Sequence, residues 1–350
     1  MNFEEGLIHL QSFIRKKPLI IVGTGLSLAM GLPGMGELLQ HLKIRIPLHC
    51  KKNPQLHSEW ESCVRLIDEF GFEDGLNKIT ICDSLLEHII DETASLVQLR
   101  DIEAYKRIPK MQVSDYPFAK LLKHLIDSLP PENKILNVIT PNYDHLVEYA
   151  CDLINVECCT GFKGNSIMTF DQTHLKNCNY RMHPFPDSKG RRTFIPIPQV
   201  RLLKPHGSLN WKRVNGSTYN VHQHIDGSSR VMITPGSTKF KSSLTDSVMN
   251  AHREVGNSCI QSANSILIIG YGFNDVHLQT VLRDQLKAGI DCLIITKWLS
   301  PTAMELINSY KQITALSEYG HLQTKWYFNQ QEGMWDEPLW SLDHFVKRIL

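Results

Sequence analysis

The chain has 350 residues, 42% of them hydrophobic, enough to bury one large core or two smaller ones. Its 37 basic and 36 acidic side chains leave a net charge of +1 with no basic tail, which excludes nucleic-acid binding driven by charge alone. No apolar run reaches the about 18–20 residues of a membrane helix, and Met1-Asn-Phe-Glu-Glu lacks a signal peptide's charged start and apolar core, so no membrane association and a cytoplasmic location are expected.

Phe3 to Phe13 reads as an amphipathic helix leading into the apolar strand Pro18-Leu-Ile-Ile-Val22. From about 36 to 130 the apolar residues fall at helical spacing: Leu38, Leu39, Leu42, then Cys63, Val64, Ile67, then Leu85, Leu86, Ile89, then Leu121, Leu122, Leu125. That is too much helix for one crossover and predicts a helical insertion lobe beside a sheet. Pro130-Pro131 ends it, and Ile135-Leu-Asn-Val-Ile139 resumes the sheet, followed by a helix over 144–153 that Asp144 could cap.

Residues 155–199 read as an irregular or β-rich excursion. The nine cysteines include no C-x-x-C pair and are expected as reduced thiols. A metal site from Cys158, Cys159, His174, Cys178 and His183 is imaginable, but adjacent cysteines rarely reach one tetrahedral ion, and no metal is expected. Val200-Arg-Leu-Leu203 is a strand, and Trp211 to Ile233 a hairpin region with turns at Asn215-Gly216 and Asp226-Gly227. Helices follow at 246–263 and 275–287, strands at Ser265-Ile-Leu-Ile-Ile269 and Cys292-Leu-Ile-Ile-Thr296, then a helix at 301–309 and a short strand at 324–328. The tail aromatics Trp335, Trp340 and Phe345 either cover the domain or meet a partner. The pattern predicts an α/β fold: a Rossmann-like parallel sheet with helices on both faces plus the helical lobe, as one domain over 1–300 and a C-terminal extension over 301–350.

Four short segments leave the carboxyl ends of apolar strands: Gly23-Thr-Gly-Leu-Ser27, Thr140-Pro-Asn-Tyr-Asp144, Lys204-Pro-His-Gly-Ser208 and Gly270-Tyr-Gly-Phe-Asn-Asp275. In an open α/β sheet such loops converge on one crevice. Gly23, Gly25 and Gly270 open turns where a backbone can approach phosphate; with no P-loop lysine, a pyrophosphate would be held chiefly by backbone N–H groups. Asn142 and Asp144 suit a turn and helix cap, or contacts to ribose hydroxyls and a water. His206, beside a glycine at a strand end, is either structural or a base.

In order and context these segments resemble the sirtuin superfamily, most of all its bacterial sirtuin-like branch associated with anti-phage defence; the likeness spans about 17 to 296. The resemblance implies NAD+ as substrate. It places Gly23, Thr24, Gly25 and Ser27 at the pyrophosphate and nicotinamide pocket, Asn142 and Asp144 at the nearby ribose or water, His206 as the catalytic residue, and Gly270, Tyr271 and Asp275 toward the adenosine half. Protein-deacylating sirtuins carry two Cys-x-x-Cys pairs, absent here; Pro33 continues as Gly-Met-Gly-Glu rather than Pro-Asp-Phe-Arg, and Thr24 replaces the commoner alanine. The expected activity is therefore an NAD+ glycohydrolase, gated by a homo-oligomer or by a protein partner such as a HerA-type ATPase, an Argonaute-like or a nucleotide-processing protein. A deacylase or ADP-ribosyltransferase, and a non-catalytic NAD or ADP-ribose sensor, are the alternatives.

Overall fold

A computed structural model of the chain describes residues 2–234, 246–320 and 322–350. Its strands run β1 (Leu19–Val22), β2 (Ile135–Ile139), β3 (Glu157–Cys159), β4 (Phe162–Lys163), β5 (Ile167–Phe170), β6 (Tyr180–Met182), β7 (Phe194–Pro196) and β8 (Gln199–Leu203). They continue as β9 (Gly207–Val214), β10 (Ser217–Val221), β11 (Ser229–Met232), β12 (Ser265–Ile269), β13 (Asp291–Ile295), β14 (Ile313–Tyr319), β15 (Gln323–Phe328) and β16 (Gln331–Trp335). Nine of them form one sheet in the order β16-β15-β14-β13-β12-β1-β2-β8-β3. From β14 to β3 every pairing is parallel; β15 and β16 add an antiparallel edge. The fold is the expected α/β arrangement.

Strand residues alternate between two cores, as a sheet buried on both faces requires. Ile20, Val22, Val138, Leu202, Leu267 and Ile295 pack on one face with the helices Phe3–Arg15, Pro117–Ser128, Leu146–Leu153 and Leu342–Ile349. Ile21, Ile139, Leu203, Ile268 and Ile294 pack on the other with Ser247–Gln261, Val276–Lys287 and Pro301–Ser309. A separate antiparallel sheet, β11-β9-β10-β5-β4, stands beside them. Its β9–β10 turn has Asn215 and Gly216 at φ 48 and 80, the left-handed pair of a tight hairpin.

The long helical stretch divides in two. Leu38, Leu42, Trp60, Ile67, Leu76, Leu85 and Ile89 form a core of their own, drawn from helices between Met35 and Arg107. Leu121, Leu122 and Leu125 instead join the sheet's first core, so the helix Pro117–Ser128 belongs to the sheet. The tail aromatics resolve the same way. Trp335 and Phe345 are buried, with Trp335 stacked on Trp326 and edge-on to Phe3. They cover the first core, and residues 313–335 supply three strands of the main sheet. Among the described residues no helix is long and apolar enough to cross a membrane.

Phe345 has no exposed surface, and truncating it leaves a cavity that neighbours on two elements cannot refill. Phe345→Ala should cost about 3–5 kcal/mol, read as a lowered urea midpoint with an unchanged slope. A loss of a few tenths would mean that the tail does not share the sheet's core.

Candidate active site

The chain leaves β1 to build β2 and β8 on one side of it, and returns through β12, β13 and β14 on the other. The loops after β1 and β12 therefore meet at the reversal point of the strand order, where a crevice opens. There the two backbones touch. Gly23 N–H donates to Ile269 O at 2.9 Å, and Gly25 N–H to Gly270 O at 2.8 Å. A Cβ on Gly25 would stand 2.6 Å from Gly270 Cα, and one on Gly23 2.4 Å from Tyr271 Cα; Gly270 itself sits at φ +56. The glycines are needed because two loops pack backbone to backbone. The amides of Gly23 and Gly25 are spent on the β12 strand and loop; of the expected phosphate turn, Gly23 and Thr24 line the crevice, whereas Gly25 and Gly270 do not.

The crevice is a cavity of about 350 Å3 bordered by Gly23, Thr24, Ser27, Asn142, Asp144, His206, Tyr271 and Asp275, so all four segments reach it. Around Asn142 the polar groups form a chain. Thr140 Oγ1 donates to Val22 O and accepts from Asn142 N–H, which ties the β2 loop to the end of β1. Asn142 Nδ2 donates to Ser27 Oγ at 2.9 Å, and Ser27 Oγ donates to Asp144 Oδ2 at 2.6 Å. Asp144 Oδ1 accepts from Leu146 N–H at 3.2 Å. Both Asp144 oxygens are thus engaged by protein groups. Burial pushes its carboxyl up, while Lys204 and Ser27 pull the other way. Asp144 holds Ser27, and through it Asn142, from beneath.

Lys204 organises the same loop. Its side chain is fully buried, and Nζ donates to Asp144 O at 2.6 Å, Tyr143 O at 3.4 Å and Glu148 Oε1 at 3.0 Å. Its own N–H donates to Nδ1 of His252, a buried ring whose burial, with the Lys204 charge, pushes it down to about 3 and keeps it neutral.

His206 Nε2 lies 2.7 Å from Asp275 Oδ2. Asp275, expected toward the adenosine half, lines the cavity and partners this imidazole; its other oxygen caps the helix Val276–Lys287 through His277 N–H (2.8 Å) and Leu278 N–H (3.1 Å). Burial opposes its ionisation, but His206 and the two amides outweigh it and hold the carboxyl at about 2. A carboxylate only accepts, so it fixes the imidazole with Nε2 protonated and leaves Nδ1 as the basic atom.

Two cavity groups escaped the sequence reading. Glu73 comes from the helical lobe, on the short helix Phe72–Asn77, and hydrogen-bonds Asn274; burial raises its carboxyl against that bond and the pull of His206. Arg253 reaches the cavity from the helix Ser247–Gln261. Its guanidinium donates to Asn250 at 2.9 Å; burial lowers its pKa, and Asp275 and Asp246 raise it. The hydroxyl of Tyr271, a residue already expected at this site, is buried in the cavity wall. Glu73 and Arg253 lie on helices whose pattern reads simply as solvated faces, so no local signal marks them.

All nine cysteines are free. In the 158–183 excursion Cys159 and His174 approach at 3.6 Å, whereas His183 bonds the backbone of Phe185. Among the described residues no group of three His, Cys, Asp or Glu is disposed to hold a metal ion.

Residues 136–311 match the family model described as "SIR2-like domain", half of the chain. The solved structures it resembles include one described as the structural basis for the mechanism and regulation of Sir2 enzymes: 10% identity, 99% of this chain and 98% of that chain covered, TM-score 0.45. A Sir2 bound to acetylated peptide matches at 11% identity, with 100% and 97% covered and TM-score 0.43. A Sir2 homologue in complex with ADP-ribose matches at 14%, with 100% and 96% covered and TM-score 0.40. No curated protein matches this chain.

Removing the Lys204 ammonium would strand Glu148 and two carbonyls under the Asn142 loop. Lys204→Met should therefore cost about 3–5 kcal/mol by equilibrium unfolding, despite a better apolar fit. A variant as stable as the wild type would show that water enters and satisfies these groups.

Proposed function

The chain belongs to the SIR2-like family, and from that premise we propose that it is an NAD+ glycohydrolase, releasing nicotinamide and ADP-ribose. The observation that carries this reading is the oriented pair His206–Asp275 facing the same cavity as Asn142. Cleavage of the nicotinamide–ribose bond leaves its electron pair on the departing ring and positive charge on the ribose carbon and ring oxygen. Water then adds to that carbon and must lose a proton. Nδ1 of His206 takes it, and the Asp275 carboxylate stabilises the imidazolium that results. Asn142, its Nδ2 fixed by Ser27, directs its carbonyl oxygen at the water or at a ribose hydroxyl. Arg253 supplies the cation for the pyrophosphate that the glycine amides do not, with Thr24 and the Tyr271 hydroxyl as further donors.

The absence of paired Cys-x-x-Cys motifs favours water over an acyl-lysine peptide as the acceptor. Unchecked NAD+ loss would be harmful to the cell, which supports a gated effector that depletes NAD+ during anti-phage defence, in a homo-oligomer or with a partner of the ATPase, Argonaute-like or nucleotide-processing kind. The surface proposed for that contact is the helical lobe, with Ile44, Leu48, Leu99 and Tyr105 exposed. The proposed division has 1–300 as the catalytic unit, with 301–350 extending its sheet through β14, β15 and β16.

Purified protein should convert NAD+ to nicotinamide and ADP-ribose, with candidate activators supplied. Asn142→Ala and His206→Ala should each abolish turnover in a folded protein, the histidine variant by at least about a hundredfold. Wild-type turnover in either would sink the mechanism, and transfer to an acylated peptide in place of hydrolysis would revive the deacylase reading. Arg253→Met should raise the Kd for NAD+ about ten- to a hundredfold, the value of one charged hydrogen-bonded contact. Calorimetry in the His206→Ala background reads this directly, and unchanged affinity would put the pyrophosphate elsewhere.

A further inference from the structure

The small antiparallel sheet carries two cations that the mechanism does not use. Arg230 on β11 stands directly opposite Lys212 on β9, and Lys212 directly opposite Tyr219 on β10. Residues opposite each other in an antiparallel pair share a face, with Cβ atoms about 4.5–5.5 Å apart, and like charges so placed repel. Neither cation lies at the open surface: Lys212 is 8% exposed and the Arg230 side chain 19%. The sheet meets the lobe helix Asp83–Arg107 here. Leu209 and Met232 pack on Ala94, and Arg230 Nε lies 3.2 Å from Asp91 Oδ1.

The charges do not balance. Asp91 acts on both cations, but its carboxylate is 65% exposed, so solvent screens it, and it engages only one edge of the guanidinium. Arg230 Nη1 is buried and has no hydrogen-bond partner among the described residues. Among those residues no acceptor bonds Lys212 Nζ either; burial and the Arg230 charge, against the pull of Asp91, hold its ammonium down at about 8. The molecule supplies the contrast. The buried ammonium of Lys204 meets Glu148 and two carbonyls, as a buried charge requires.

We propose that Lys212 and Arg230 form a binding site for a phosphoryl group, separate from the active-site cavity. Neither residue lines that cavity. The guanidinium edge that Asp91 leaves open can take two oxygens of a tetrahedral oxyanion, while the ammonium takes a third. The anion then supplies the charge and the acceptors that the sheet withholds. It also has a way in. The cross-strand row continues from Lys212 to Tyr219 and from Tyr219 to Thr169 on β5. Tyr219 is half-buried and Thr169 exposed, so the row opens to solvent at its β5 end. Inorganic phosphate and a nucleoside monophosphate share this chemistry.

The test follows acetylation of Lys212 by acetic anhydride in the full chain at about pH 7, read by peptide mass spectrometry. A lowered ammonium leaves some reactive free amine, and an oxyanion beside it restores the proton. Saturating inorganic phosphate should therefore slow acetylation of Lys212 at least about tenfold, and leave the exposed Lys51 unchanged. Sodium chloride at equal ionic strength should protect neither. AMP protecting at the same concentration as phosphate would identify the bare anion as the ligand, and protection at a lower one a nucleotide. Calorimetry with phosphate in the Arg253→Met background, which removes the cavity's own cation, should show the Kd raised at least about tenfold by Lys212→Met and by Arg230→Met. Acetylation of Lys212 indifferent to phosphate, equal protection by chloride, or an affinity that Lys212→Met leaves intact would each overturn the proposal. The wild-type acetylation decides the matter even if a variant fails to fold.

Discussion

The site depends on one close contact, the backbone of Gly25 against the backbone of Gly270. It lies where the strand order reverses, so the two loops that could diverge and leave a wide cleft are instead pinned together by Gly25 N–H on Gly270 O. Any side chain at either position would drive the loops apart. The contact also decides what kind of site this is. With two glycine amides used to hold the loops, the polar groups facing the cavity are mostly side chains: the Asn142 amide, the His206 ring, the Glu73 carboxyl and the Arg253 guanidinium. Side chains of that kind need support of their own.

That support is electrostatic and largely buried. Lys204 places a full charge beneath the Tyr143 and Asp144 carbonyls, and Asp144 in turn receives Ser27. A buried ammonium is tolerable only because each of its protons finds an oxygen. The carboxylates then separate by environment. Asp275, with a histidine and two helix amides on its oxygens, is held at about 2, whereas burial pushes the Glu73 carboxyl up. Two acids of one cavity thus sit in different surroundings, one paired and capped, the other desolvated beside Asn274.

The sheet was legible because its physics is local. Runs such as Ile266 to Ile269 are apolar at every position, which only a strand buried on both faces tolerates, and Asn215-Gly216 can adopt a hairpin turn that few other dipeptides accept. Strand ends then located Thr24, Ser27, Asn142 and His206 in one crevice. What escaped is non-local. Nothing near Asp275 in sequence says that its carboxylate meets His206 rather than a ligand, and Glu73 is one acidic residue among several on a short helix. The strand β14 is buried but mixes Thr314 and Ser317 into its run, and β16 is largely exposed at the sheet edge, so its sequence Gln331-Glu-Gly-Met-Trp335 lacks the apolar run that marks the central strands.

The division of cores bears on how such a site could be controlled. One wall of the cavity comes from the sheet loops, and the other carries Met35, Leu38, Glu73 and Val97 from the helical lobe. The lobe packs around its own cluster, centred on Leu42, Trp60 and Leu85, and that cluster is distinct from both cores of the sheet. Two small clusters nonetheless straddle the boundary, Ala104 with Leu32 and Leu146 and Ala94 with Leu209 and Met232, so a shift of the lobe would have to break them. Polar contacts would break with them: Glu73 to Asn274, Arg107 to the Met30 carbonyl, and the buried Asp101 to His145 and Tyr149. The lobe is thus tied to the sheet by buried contacts, and through it Glu73 is held in the cavity wall.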